Sequence, residues 1–140
     1  MYQFKIHKAD NLSTAVDLFN ASDEPVYIAG GHTLIPTMKQ RLSAPSDVID
    51  LAKIPDLDAI TLAGDTLQIG AMATHAQVAA SSLVQGHCPA LTTLAGGIGD
   101  RQVRHRGTIG GSLANNDPAA DYPAAVLGLG AQIVTDRRTI

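Results

Sequence analysis

The chain has 140 residues, 45% of them apolar and 16% charged, with a formal net charge of −3 and a single cysteine, Cys88. This balance describes a folded domain able to bury a core rather than a disordered chain. It excludes an internal disulfide and a Cys-rich metal site, and it provides no general attraction to nucleic acid or acidic membrane. No apolar run approaches the ~18 residues of a membrane span. The opening MYQFKIHKADNL has no signal-peptide core. A cytoplasmic location is therefore expected.

Residues 12–19 place Leu12, Ala15, Val16, Leu18 and Phe19 at helical spacing, with Asn11 or Ser13 as the cap. PVYIAGG reads as a short buried strand running into a glycine turn. HTLIPTMKQRL follows as a helix with Leu34, Ile35, Met38 and Leu42 on one face and Pro36 in the first turn, where a missing N–H does least harm. DVIDL reads as a second strand. Short strand-to-helix links favour a parallel pair.

The middle of the chain changes character. DAITLAGDTLQIGAM predicts two strands around the turn AGD. THAQVAASSLVQG predicts one helix, with Thr74 and Gln77 at capping-box spacing and Gly86 as its stop. PALTTLAGG adds another helix. The last apolar run, AAVLGLGAQIV, is also expected to be helical, capped by Asp117 with Pro118 at the first helical position.

Two glycine pairs share one logic: AGGHTLIP at residues 29–36, and TIGGSLAN at residues 108–115, read as a turn just before a helix. Glycine admits positive φ and close approach. A helix start leaves N–H groups free for an anion. Together these predict phosphate cradles, with Thr33, Thr108 and Ser112 as added hydroxyl donors. Neither pair is a Walker A loop or a Rossmann GxGxxG. Two such pairs in one small chain suit a dinucleotide, which has a pyrophosphate and two sugar ends to hold.

Three segments occur in order: AGGHTLIPTMKQRL, IGAMATHAQVAAS and QVRHRGTIGGSLANNDPAADYPAAVLGLGA. On these the chain resembles the FAD-binding (medium, or flavin) subunits of the molybdenum hydroxylases, the family of xanthine dehydrogenases and aerobic-type carbon monoxide dehydrogenases. The resemblance runs from YQFKIHKADNLSTAVDLF to GAQIV. It implies an α+β (mixed α/β) fold, the two-lobed FAD-binding domain of the vanillyl-alcohol oxidase and p-cresol methylhydroxylase type. An N-terminal α/β lobe would span residues 1–52, and a second mixed lobe, incomplete here, residues 53–140. FAD would lie between them.

By motif position the resemblance implies that Ala29, Gly30, Gly31, His32, Thr33, Leu34 and Ile35 wrap the pyrophosphate and neighbouring ribityl. Thr108, Ile109, Gly110, Gly111 and Ser112 would supply the second cradle, with Asn115 following in the same motif. Thr74 and His75 fall in the Thr-His segment near the flavin. Asp121 matches an acidic FAD contact, and Ile98 a position that is aromatic in some relatives. The implied role is electron transfer. A molybdopterin large subunit hydroxylates substrate, electrons pass through two [2Fe–2S] clusters of a small subunit, and FAD hands them to NAD, oxygen or a quinone. No residue here is then required as a proton-transferring catalyst, and no metal site of this chain is implied.

Other readings of the same residues stand beside this one. Arg101, Arg104, His105 and Arg106 serve either partner docking and charge balance or a solvated loop. Asp117 and Asp121, four apart, suggest a shared helix face, with a cap and a cofactor contact explaining them better than acid–base pairing. Cys88, Met38 and Met72 read as packing residues. The alternatives in function are another flavoenzyme of the same fold, such as a cell-wall precursor reductase or an alcohol oxidase, and a non-catalytic binding or assembly fragment.

Overall fold

The computed structural model describes residues 1–140, and it holds two hydrophobic clusters built by different kinds of element. The first belongs to a three-stranded parallel sheet of order β1-β3-β2, made by β1 (Lys5–Lys8), β2 (Pro25–Ile28) and β3 (Asp47–Asp50). The central strand β3 buries Asp47, Val48 and Ile49 in succession, as a strand covered on both faces must. Helix α1 (Leu12–Ala21) crosses from β1 to β2. Its cap is Asn11, whose side chain accepts the Thr14 N–H at 2.7 Å. Ala15 is buried under this helix with Ala9, Ile49 and Ile54. Phe19 stacks on Tyr27 with ring centroids 4.7 Å apart.

Helix α2 (Leu34–Lys39) carries the chain from β2 back to β3 and is shorter than its apolar pattern suggests. Arg41 takes a positive φ of 62°, which ends the helix. Leu42, expected on the buried face, is instead 75% exposed, whereas Met38 is in the core. Strand β1 has no counterpart in the sequence reading. KIHK carries no apolar alternation, because an edge strand with charged side chains needs little burial. It is held by parallel pairing to β3 and by His7, whose Nε2 lies 2.7 Å from Asp47 Oδ1. The Ser46 hydroxyl donates to the other Asp47 oxygen at 2.7 Å.

The second cluster gathers Ala73, Val78, Val84, Leu91, Ala95, Ile109 and Tyr122. The predicted hairpin is present as β4 (Ile60–Ala63) and β5 (Thr66–Ile69), turning through Gly64 at φ 60°. The single helix expected over 74–86 is two: α3 (His75–Ala80) and α4 (Ser82–His87). Ser81 breaks them. Its extended backbone ends α3, and its hydroxyl accepts the Val84 N–H at 3.2 Å to start α4. Gly86 therefore sits inside α4 rather than stopping it. Helix α5 (Pro89–Gly97) begins with its proline at N1. The short α6 (Arg101–Arg104) follows.

The polar segment at the C-terminal end folds differently from its sequence reading. TIGGSLAN is not a turn in front of a helix. It is the helix α7 (Ile109–Asn115) with Thr108 as cap, and it ends at Asn116 in the left-handed region, φ 48°. Asp117 caps no helix. Its carboxylate accepts the Ala119 N–H at 2.9 Å and shapes a local turn, so Asp117 and Asp121 share no helix face. Helix α8 (Asp121–Gly128) starts later than expected and stops at Leu129. The apolar run 124–134 gives the segment little anchorage: Leu127 in α8, and Leu129 and Val134 beyond it, are exposed. Tyr122, completely buried, does the anchoring.

Candidate functional site: a cleft between two glycine motifs

The two glycine motifs meet. A β-carbon placed on Gly111 would stand 3.8 Å from the Ala29 methyl. One placed on Gly30 would collide with the carbonyl oxygen of Arg106 and lie 2.9 Å from the Gly107 Cα. Gly30 is thus a glycine because the chain itself passes there. Gly31 is one for a different reason: its φ is 73°.

Beside this crossing lies a cleft of about 180 Å³, lined by Ala29, Gly30, Ala52, Asp58, Met72, Thr74, Gln77, His105, Arg106 and Thr108. Ala29, Gly30, Thr74 and Thr108 were expected at a site from sequence. Gly31, Leu34 and Ile35 are half-buried just beyond the Ala29–Gly30 rim, with exposed His32 and Thr33 between them. Ala52, Asp58, Met72 and Gln77 were not foreseen as lining residues. The signal for Gln77 was its capping-box spacing. Thr74 Oγ1 accepts the Gln77 N–H at 3.2 Å and donates to Gln77 Oε1 at 2.8 Å, while Gln77 Nε2 donates to Asp58 Oδ2 at 3.1 Å. No local pattern announces Asp58. It reaches the cleft only because the turn before β4 folds against α3.

The two motifs differ in what their backbones have to offer. In the second, Ile109 N–H donates to Ala73 at 3.0 Å, Gly110 N–H to Ala71 at 2.9 Å and Ser112 N–H to Thr108 at 3.0 Å. The Gly111 N–H goes to Thr108 Oγ1 at 3.1 Å. These amides are spent on an antiparallel contact between residues 71–75 and 107–110, centred on the Thr74–Thr108 bridge, and on the helix cap. In the first motif, no N–H from Gly30, Gly31, His32, Thr33 or Leu34 donates to another backbone group. These are five successive donors without a backbone acceptor, on a segment bent through the left-handed Gly31, so their hydrogen-bonding capacity is open to solvent or a ligand.

Behind the cleft stands His75. It does not line the cavity: it is 5% exposed, with its ring 5.3 Å from that of Tyr122. Neither His75 Nδ1 nor the Tyr122 hydroxyl has a hydrogen-bond partner in the protein. Burial, with the nearby His32 adding to it, holds the His75 imidazole below its ordinary pKa, so the ring is neutral at neutral pH. Burial also pushes the Tyr122 phenol well above its usual range.

The remaining expected residues lie outside the cleft lining. Ile109 is buried under α7, and Ile98, at the end of α5, packs against the same core. Gly110 is pressed on Ala71, where an added β-carbon would stand 2.6 Å from the Ala71 methyl, and Ser112 is half-buried in α7. Asn115 and Asp121 are exposed at the end of α7 and the start of α8. In the basic cluster, Arg104 donates to the carbonyls of Ile98 and Gly99 at 3.1 and 3.2 Å, a structural task, while His105 and Arg106 face the cleft.

A mixed α/β chain with two cores, and with a run of unpaired backbone N–H groups beside a polar cleft, has the make-up of a nucleotide-cofactor-binding module. Residues 2–139 match the family described as the FAD binding domain in molybdopterin dehydrogenase, and the chain belongs to that family. It is 39% identical over 134 residues to the nicotine 6-hydroxylase medium subunit of Paenarthrobacter nicotinovorans, covering 93% of this chain and 47% of that one. It is 38% identical to the carbon monoxide dehydrogenase medium chain of Hydrogenophaga pseudoflava, covering 99% and 50%. Among solved structures, quinoline 2-oxidoreductase from Pseudomonas putida 86 superposes with a TM-score of 0.94 at 30% identity over 99% of this chain and 50% of that one. The cyanide-inactivated Cu,Mo-CO dehydrogenase gives 0.90 at 37% identity, covering 94% and 47%. The chain spans about half the length of these relatives. No helix is long and apolar enough to cross a membrane.

Proposed function

We propose that this chain is the cofactor-gripping part of an FAD-dependent electron-transfer subunit in a molybdenum hydroxylase, and that the Gly30–Leu34 backbone holds the FAD pyrophosphate. The observation that carries the reading is the run of five N–H groups without backbone acceptors beside the cleft. A pyrophosphate supplies the acceptors those donors lack, through charge-assisted bonds stronger than neutral ones. The cavity of about 180 Å³ suits the diphosphate and adjoining sugar carbons rather than a whole dinucleotide, since ligand pockets usually run to about 300–1,000 Å³.

On this reading the residues divide the work. Gly31 turns the first motif so that its amides converge. Thr108 uses one oxygen lone pair on Gly111 and keeps its hydroxyl proton for the ligand. Arg106 and His105 lie where positive charge offsets phosphate. Bound FAD supplies the capacity to accept electrons and pass them on; the chain supplies binding, orientation and a polar wall. The two-lobe division at residues 1–52 and 53–140 belongs to the same proposal, with the cleft along the division. So do the FAD contacts of Ser112, Asn115, Asp121, Ile98 and Thr74, while the buried His75 stands behind the cleft wall and touches no ligand itself. The small [2Fe–2S] subunit, the molybdopterin large subunit and an acceptor such as NAD, oxygen or a quinone are the partners this function requires. A cytoplasmic setting fits it.

The test is an amide-resolved NMR titration with FAD and, separately, with inorganic pyrophosphate. Saturable shifts centred on residues 30–34 in both titrations are expected. Shifts centred on Ile109–Ser112, or no saturable response to either ligand, would sink the assignment.

A further inference from the structure

The stack behind the cleft runs through four layers. Tyr122, fully buried at the start of α8, lies against the His75 ring. His75 in turn lies against Gly107: a β-carbon on Gly107 would come within 2.5 Å of His75 Nε2 and 2.8 Å of its Cδ2. The Arg106–Gly107 peptide lies against Gly30, at the rim of the first motif. Contact therefore passes from the second core to the first motif through two positions where a side chain is missing. The central ring is an odd choice for packing alone. Its Nδ1 and the Tyr122 hydroxyl are both buried without a protein partner, and each such group is left with its desolvation uncompensated, which is costly. An apolar side chain of similar size would avoid that cost.

We propose that His75 is a positioning residue for the cleft: acting through Gly107, it holds the Arg106–Thr108 segment against Gly30 and so sets the spacing of the cleft walls. The inference deepens the FAD reading and rests on it for the ligand, but the wall spacing itself is readable without ligand. Close-packed interiors transmit a change of this size, because there is no slack to absorb it. Removing the ring lets residues 106–108 sink toward α3, away from Gly30. Adding a methyl at Gly107 drives the same segment the other way, since Tyr122 blocks the ring from retreating.

This makes a size swap the decisive experiment. His75→Ala, Gly107→Ala and the double variant are made in the full chain, with His75→Asn as a milder cut in case His75→Ala does not fold. The first readout is the pair of Gly30 and Gly31 amide resonances without ligand. They should move in each single variant and return toward wild type in the double, where the new methyl fills the space of the lost ring. The hairpin resonances at residues 60–69 should stay still. The second readout is FAD affinity, expected to weaken about tenfold in His75→Ala and to recover in the double, a coupling inside the range found for touching residues. Lower stability with unmoved glycine resonances and unchanged affinity would reduce His75 to a packing residue and overturn the proposal. Resonances that respond as expected in a wild-type chain that takes up no FAD would uphold the positioning role and defeat the FAD reading instead.

Discussion

Gly30→Ala is the sharpest test of the close crossing described above. The added methyl would meet the Arg106 carbonyl oxygen, stand 2.8 Å from its carbon and 2.9 Å from the Gly107 Cα. All three atoms are backbone, so no rotamer change relieves the clash. The Arg106–Gly107 peptide is also tied down on its far side: Gly107 N–H donates to Val103 at 2.7 Å, and Gly107 O accepts from His75 N–H at 3.0 Å. Overpacking costs typically 1–3 kcal/mol, and an immovable neighbour puts this case near the upper end, about 3 kcal/mol. With a urea dependence of ~2 kcal/mol per M, the unfolding midpoint should fall by about 1.5 M at unchanged slope. The matched control is Gly86→Ala, where a methyl meets nothing within 4 Å inside α4. That change should stabilise by about 0.5–1 kcal/mol, because alanine loses less chain entropy in a helix. Equal midpoints for the two variants would refute the close approach and, with it, the reason given for glycine at position 30.

Tyr122→Phe removes a hydroxyl that has no partner and should leave stability unchanged or raise it by about 1 kcal/mol, read by thermal unfolding. A loss above that would mean the hydroxyl is bonded. Thr108→Ala deletes the α7 cap and should cost about 1 kcal/mol, seen as a lower urea midpoint. Stability should fall as pH drops below about 6.5, because the unfolded chain protonates His75 before the folded chain does, and His75→Gln should flatten that slope. At lower pH a second loss is expected. The Ser46 hydroxyl, and then His7, hold the Asp47 carboxyl below its ordinary range, so its stabilising contribution disappears only as pH falls through that depressed value. Asp47→Asn should abolish this acid limb in a denaturation series.

Local rules carried much of the fold. Asn11 capping α1, the Thr74–Gln77 capping box, Pro89 opening α5 and the 60–69 hairpin all follow from side chains bonding to or packing on near neighbours. Where local rules failed, a distant partner decided. KIHK is a strand because β3 offers it an edge, and Asp47 a partner for His7, forty residues away. The Gly110–Gly111 pair reads as a turn by composition. It is helical because its amides are drawn to Ala71 and Thr108, with the Ile109 amide before them drawn to Ala73, and because Gly110 must lie flat on Ala71.

The candidate site divides the same way. The sequence by itself determined which residue types were on hand: two glycine motifs, hydroxyls beside them and a basic cluster, in an order that marks a cofactor-binding family. Only the tertiary structure decided which motif has amides to give. That choice depends on where each N–H points, and an N–H pairs according to what the fold brings within about 3 Å, not according to its neighbours along the chain. Asp58 in the cleft and His75 behind it were settled at that level too, since burial and contact are properties of the packed chain.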